Sequence, residues 1–146
     1  MKIIRSTEVL HPLLRLSVKK IQSVIDSHNI PIRLFESGRL HDRHEMLVSK
    51  GKTKDIISHH LYNLQNIPPL YATAVDYVYF DNKWSWNLRN LTVTSWYILF
   101  GNLVLDICPE LQWGANNRKS VNYCHFQLKD EVIIKNLNKF PCVVFP

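Results

Sequence analysis

The chain has 146 residues, 46% hydrophobic and 21% charged, with 4 Gly and 7 Pro; this is one domain's worth of packed protein and excludes a disordered or collagen-like polymer. Its 18 basic and 12 acidic residues leave a formal charge of +6, which suits any polyanion and selects none. The opening stretch places Lys2, Arg5 and Glu8 where a signal peptide needs an unbroken apolar run, and no segment approaches the roughly 20 apolar residues of a membrane span, so synthesis in a cytoplasm with no signal peptide and no membrane partner is expected.

From Thr7 to about His28, apolar residues recur at Leu10, Leu13, Leu14, Val18, Ile21, Val24 and Ile25, a helical spacing with Ser6 as the cap and Pro12 in an early turn. Pro31 ends it, and Ile32 to Phe35 predicts a short strand that stops at Ser37-Gly38. A second helix fits about Asp42 to Lys50, with Gly51 as its stop. Lys52 to Ala72 contains Asn66-Ile67-Pro68-Pro69 and is expected to be loop. Ala74 to Phe80 is β-branched and aromatic, a strand followed by a turn at Asp81-Asn82-Lys83 and by Trp84-Ser85-Trp86. A third helix spans about Val93 to Ile107, stopped by Pro109; Leu111 to Trp113 and Tyr123 to Leu128 predict two more strands around a polar loop, 114 to 122. The fold class is therefore α+β, a small antiparallel sheet with helices packed on it. Beyond Leu128, Val132 to Ile134 and Cys142 to Phe145 predict a terminal helix and strand packed on the same core.

Three cysteines, Cys108, Cys124 and Cys142, form no C-x-x-C pair and are expected to be buried thiols. Seven histidines are more informative. In the last strand the period of two puts Tyr123, His125 and Gln127 on one face and Cys124, Phe126 and Leu128 on the other, which is core. Asp76 stands in the middle of an apolar strand, where an unpaired carboxylate costs several kcal/mol unless a cation neutralises it. Two histidines and a carboxylate with a fourth position open are the donor set of a catalytic zinc. Spacing alone leaves a hydrogen-bonded strand histidine and an ion-paired aspartate as the alternative.

The order of motifs adds to this. Glu36 to His44, Leu47 to Lys54, Ser58-His59-His60-Leu61, Ala74-Val75-Asp76, Gln112-Trp113-Gly114 and His125-Phe126-Gln127-Leu128 together resemble the zinc D-Ala-D-Ala carboxypeptidase and L-alanyl-D-glutamate peptidase family, most of all its small phage endolysins, a group related to the hedgehog zinc domain. The agreement in order runs from Leu10-His11-Pro12 to Leu128. The resemblance implies a hedgehog/D-Ala-D-Ala-peptidase-like fold over 1–128, with 129–146 as an extension. It implies Zn2+ on His60, Asp76 and His125, with Ser58 beside the first ligand and His60 preferred to its neighbour His59 by the Ser-x-His motif. Arg39 is then a substrate or oxyanion contact, and the partner a peptidoglycan stem peptide, cut at an L-Ala-D-Glu or D-Ala-D-Ala type bond by a monomer acting at the bacterial cell wall.

The sequence departs from the family pattern in three places. Where the family has its acid/base carboxylate, three residues before the last histidine, stands Asn122, an amide that cannot accept a proton from water at neutral pH. Asp76 stands 16 positions after His60, as if Leu64 to Ala72 were inserted, and this segment is expected to form an exposed flap beside the metal. Asn63, His44 and Ala115-Asn116-Asn117 replace other family residues. The expectation is thus a zinc metallopeptidase, slowed unless His44, His59 or Glu110 takes over the proton transfer, with a zinc-binding pseudoenzyme or peptidoglycan-binding module as the alternative. A nucleic-acid partner is not expected, because the basic residues are scattered and form no stripe.

Overall fold

A computed structural model describes residues 2–54 and 57–144. Helix α1 (Pro12–His28) starts five residues later than the apolar spacing suggests. Ser6 caps a separate 3-10 turn, Thr7–Val9, while His11 Nδ1 accepts the Leu13 amide at 3.2 Å and caps α1, with Pro12 in the first turn where its missing N–H is harmless. Leu14, Val18, Ile21 and Ile25 make its buried stripe, and Asn29, at φ 50, closes it in the left-handed conformation.

Strand β1 (Ile32–Glu36) and helix α2 (His41–Ser49) follow, then the long connection to β2 (Ala74–Asp81). Asn82, at φ 59, turns the chain into β3 (Lys83–Ser85), and Asn90 Oδ1 caps α3 (Leu91–Ile107) by accepting the Thr92 and Val93 amides. β4 (Leu111–Trp113) and β5 (His125–Leu128) complete the sheet, and α4 (Asp130–Lys135) buries Ile133. The last strand is shorter than the alternation implies: Tyr123 and Cys124 belong to the turn before it. Residues 142–144 form no strand; the Val143 amide bonds the Pro69 carbonyl instead, and Phe145 lies outside the described residues.

All strand pairs are antiparallel, in the order β1-β2-β5-β4, with β3 on the second half of the β2 edge that β5 occupies in its first half. One face of the sheet is core. α3 lies across β1, β2 and β4 and touches α1, bringing Val93, Tyr97, Phe100 and Val104 against Tyr77 and Phe126. Phe126 stacks on Trp113 at 6.1 Å and meets Phe100 edge-on; truncating one such ring costs about 3–5 kcal/mol. Gly101 makes room for this layer, since a Cβ there would lie 2.2 Å from the Trp113 ring. Burial raises the Cys108 thiol to about 11 and the Cys124 thiol to about 12, so both stay protonated. Among the described residues no helix is long and apolar enough to cross a membrane.

Candidate metal centre

The opposite face of the sheet carries the polar residues. Asp76 and His125 are direct partners across the β2–β5 ladder, and their neighbours Val75 and Phe126 point into the core. Ladder hydrogen bonds therefore fix the carboxylate and the imidazole side by side. His60 arrives from the connection between α2 and β2. Its amide bonds Ser58 Oγ at 3.3 Å, its carbonyl accepts the Arg39 amide at 2.7 Å, and the Thr73 amide ties down the neighbouring His59 carbonyl at 2.7 Å. His59 itself turns to Thr73 Oγ1, 3.0 Å away, which leaves His60 as the histidine of this pair that meets Asp76.

The three donor atoms converge. His60 Nε2 and His125 Nδ1 are 3.2 Å apart, His125 Nδ1 lies 3.2 Å from Asp76 Oδ1, and His60 Nε2 lies 3.4 Å from the same oxygen. Ligands about 2.0–2.1 Å from a tetrahedral zinc are separated by about 3.3 Å, so the three edges match one face of such a tetrahedron. A His/Asp/His set is also a donor chemistry that zinc takes. Burial pushes the Asp76 carboxyl up, but the charge of His60 and the hydrogen bonds from both imidazoles outweigh it and hold the group well below the usual carboxylate range. For His125, burial favours the neutral ring, yet bonding to Asp76 prevails and raises its pKa.

Gln127 shares the site face of β5 with His125. Its Oε1 lies 2.9 Å from His125 Nε2, where it can accept that proton when Nδ1 is given to a metal, the usual outer support of a ligating imidazole. The signal for it is its position two residues from His125 on one strand face. His60 Nδ1 is buried without a hydrogen-bond partner among the described residues.

Beside His125 opens a cleft of about 450 Å³ lined by Gln112, Trp113, Gly114, Asn116, Asn117, Ser120, Asn122, His125 and Gln127. The Trp-Gly pair builds its wall. Trp113 Nε1 donates to the Tyr123 carbonyl at 2.9 Å, and a Cβ on Gly114 would come within 2.5 Å of the Asn122 carbonyl. Only glycine lets the two segments approach this closely. Asn122 Oδ1 accepts the Cys124 amide at 3.1 Å, fixing the turn that leads into His125.

Arg39 is buried next to the His60 backbone. Its Nε and Nη2 both bond Glu36 Oε2, while Arg43 Nε bonds Glu36 Oε1 at 2.7 Å. Its charge reaches His125, whose protonated form it disfavours. In the sequence Glu36 and Arg43 carry no signal of their own, because Glu-x-x-Arg and a helix-borne arginine are the ordinary pattern of a solvated surface; the burial of Glu36 at 2% shows the cluster to be internal.

Two expectations about this region are corrected. Glu110 is not a cleft carboxylate: it accepts Ser17 Oγ and lines a separate groove with Leu13, Leu16, Lys19, Lys20 and Val132. The 64–72 segment is not all flap either. Residues 63–68 are exposed, with Ile67 at the tip, but Ala72 is fully buried, exchanging backbone bonds with Val9 and His11, and none of 64–72 lines the cleft beside His125.

No protein-family model matches this sequence, and no curated protein matches it. Among solved structures, the fold is similar to the crystal structure of Serratia marcescens L-Ala D-Glu endopeptidase ChiX, with a TM-score of 0.56 and 20% sequence identity, over 91% of this chain and 85% of that one. The α+β fold with its small antiparallel sheet is thus the fold of a peptidase of this kind.

Proposed function

We propose that this chain is a zinc peptidase acting on stem peptides of bacterial peptidoglycan. The observation that carries the reading is the His60–Asp76–His125 triangle, whose 3.2, 3.2 and 3.4 Å edges fit one metal ion. It is supported by a fold similar to that of an L-Ala D-Glu endopeptidase and by the motif order that resembles the family's small phage endolysins. On the same reading the chain works as a monomer at the cell wall, with 1–128 as the peptidase-like unit and 129–146 as an extension.

His60, Asp76 and His125 would hold the ion, which supplies Lewis acidity for a peptide carbonyl and lowers the pKa of a water to about 7. The chain's own residues do the rest. Gln127 keeps the His125 proton on Nε2. Glu36 takes two donors of Arg39 and leaves Nη1 for a peptide oxygen or a substrate carboxylate. Asn122 borders the cleft and can donate a hydrogen bond but not accept a proton, which favours a second reading, a protein that binds zinc and stem peptide without cutting them.

Metal analysis of the purified protein, combined with mass spectrometry of fragments released from purified peptidoglycan, tests both. One zinc per chain and a new amino terminus at D-Glu or D-Ala is the expected result. Zinc without fragments gives the second reading, and a chain that takes up no zinc overturns both.

A further inference from the structure

Outside the metal cluster, four aromatic side chains gather on the sheet. Tyr77 packs with Phe100 and Phe126 on the core side, so the alternation along β2 puts Phe80 on the face that carries Asp76. Trp84 stands opposite Phe80 across the β2–β3 pair, with ring centroids 4.9 Å apart, and Phe35 meets both Trp84 and Trp86 edge-on at 5.1 Å. Two guanidinium groups cover this surface: Arg33 lies 4.5 Å over Phe80, and Arg5 lies 5.3 Å from Trp84 and 5.4 Å from Phe35. Phe35 and Trp84 pack against the core from this side, but core packing does not account for Trp86 or for the guanidinium groups. Trp86 is 50% exposed, and Arg5, Arg33, Asn82 and Asn87 are exposed around it.

Phe80 stands four positions after Asp76 on β2, so the aromatic surface begins about 13 Å from the metal cluster along one strand. A glycan and a peptide hanging from it can be held together over that span, which is about four extended residues. The chemistry matches as well. Indole and phenyl rings present apolar surface to the C–H faces of pyranose rings, and their polar neighbours reach hydroxyl and N-acetyl groups. We propose that Trp86, held edge-on by Phe35 and flanked by Phe80, Trp84, Arg5 and Arg33, is the stacking surface of a platform that binds the glycan strand of peptidoglycan through its N-acetylhexosamine rings. The choice of a glycan over other stacking ligands rests on the peptidoglycan reading above.

The test titrates the full chain with the tetramer of N-acetylglucosamine, following backbone amide signals by NMR, and measures retention on purified peptidoglycan sacculi; a single-stranded oligothymidylate is titrated in parallel. Saturable shifts at residues 33–35 and 80–86 are expected. Trp86→Ala should weaken tetramer binding and sacculus retention tenfold or more, by analogy with the loss of one stacked ring, and Arg33→Gln should weaken them several-fold with an unchanged melting temperature. Absence of shifts at these residues up to roughly 10 mM tetramer, equal retention of wild type and both variants, or tighter occupation of the platform by the oligonucleotide would each overturn the proposal. Binding is read without hydrolysis, so an inert protein that binds the tetramer sinks the peptidase reading alone, and a peptidase blind to the tetramer sinks the platform alone.

Discussion

Asp76 and His125 face each other in the β2–β5 ladder, where backbone hydrogen bonds set their spacing, and Gln127 holds the His125 ring a second time through Nε2. His60 reaches the same point from a long connection. Its position rests on the Ser58 hydroxyl, the Arg39 amide and near-complete burial, with no partner on Nδ1 among the described residues. The strand half of the site is thus fixed by the sheet before any metal is considered, whereas the loop half is fixed by local turns that the sheet does not enforce. A metal ion tying all three donors therefore does most for His60.

The largest effect expected is at the residue both halves share. Asp76→Asn keeps the ladder but removes the charge that His60 and His125 approach. If about 10–16 kcal/mol of zinc binding is divided over four donors, each is worth about 3 kcal/mol, so the affinity measured by calorimetric titration should fall at least 10²-fold. Protonation offers a companion measurement. Because Asp76 raises the His125 pKa, the metal-free chain carries that stabilisation in full below about pH 6.5 and loses it as pH rises through the raised value. The depressed Asp76 contributes above about pH 4, and its share is lost only in strong acid. Zinc competes with the imidazole proton, so the zinc-loaded chain gains stability over the same rise. Melting temperatures at pH 6 and pH 8 should move in opposite directions with and without zinc; a common direction would deny that the proton and the metal share the site.

At the turn that leads into the strand half, Asn122→Asp sharpens the contrast between holding a metal and using it. The new carboxylate can keep the Oδ1 bond to the Cys124 amide, so the turn into His125 should persist while a proton acceptor appears at the cleft. Peptidoglycan hydrolysis should rise roughly 10²-fold, the low end of general-base catalysis. Equal rates for wild type and variant would mean that another group already moves the proton.

The same division explains what the sequence revealed. Strand-borne features follow a period of two, so the core face of β5, the isolated carboxylate in β2 and the site face holding His125 are legible from residue order. Loop features have no period. His59 and His60 are told apart in the sequence only by the Ser-x-His motif, whose Ser58 Oγ bonds the His60 amide locally, whereas the Thr73 contacts that turn His59 away are tertiary. Helix α1 shows the limit of apolar spacing: Leu10 fits the helical stripe yet precedes the cap, because Pro12 accepts any preceding non-helical turn and His11 supplies the capping nitrogen. Glu36, Arg39 and Arg43 look like surface charges until the fold buries them together.

Gln127→Leu should bring the two halves closer in character. The substitution removes the acceptor on His125 Nε2 and leaves its ladder position untouched, so zinc affinity should fall 10- to 100-fold, as for other outer-shell losses, with little change in the melting temperature of the metal-free chain. A loss no larger than twofold would mean that the ladder alone orients the ring.

The smallest effect is expected where the loop half is longest. Asn63 and Leu70 exchange both backbone bonds, at 2.8 and 3.0 Å, so residues 64–69 can be replaced by Asn-Gly, a two-residue hairpin turn. Closing a loop a third as long gains about 1 kcal/mol, and losing the Pro69–Val143 bond costs about as much, so the melting temperature should stay within a few degrees and zinc affinity should be unchanged. Deleting 64–72 is a different experiment: it takes out buried Ala72 and its bonds to Val9 and His11, and should destabilise the fold by several kcal/mol. If the short replacement alone abolishes zinc binding, the loop tip and not Ser58 and Arg39 positions His60, and the division between the two halves has to be redrawn at residue 63.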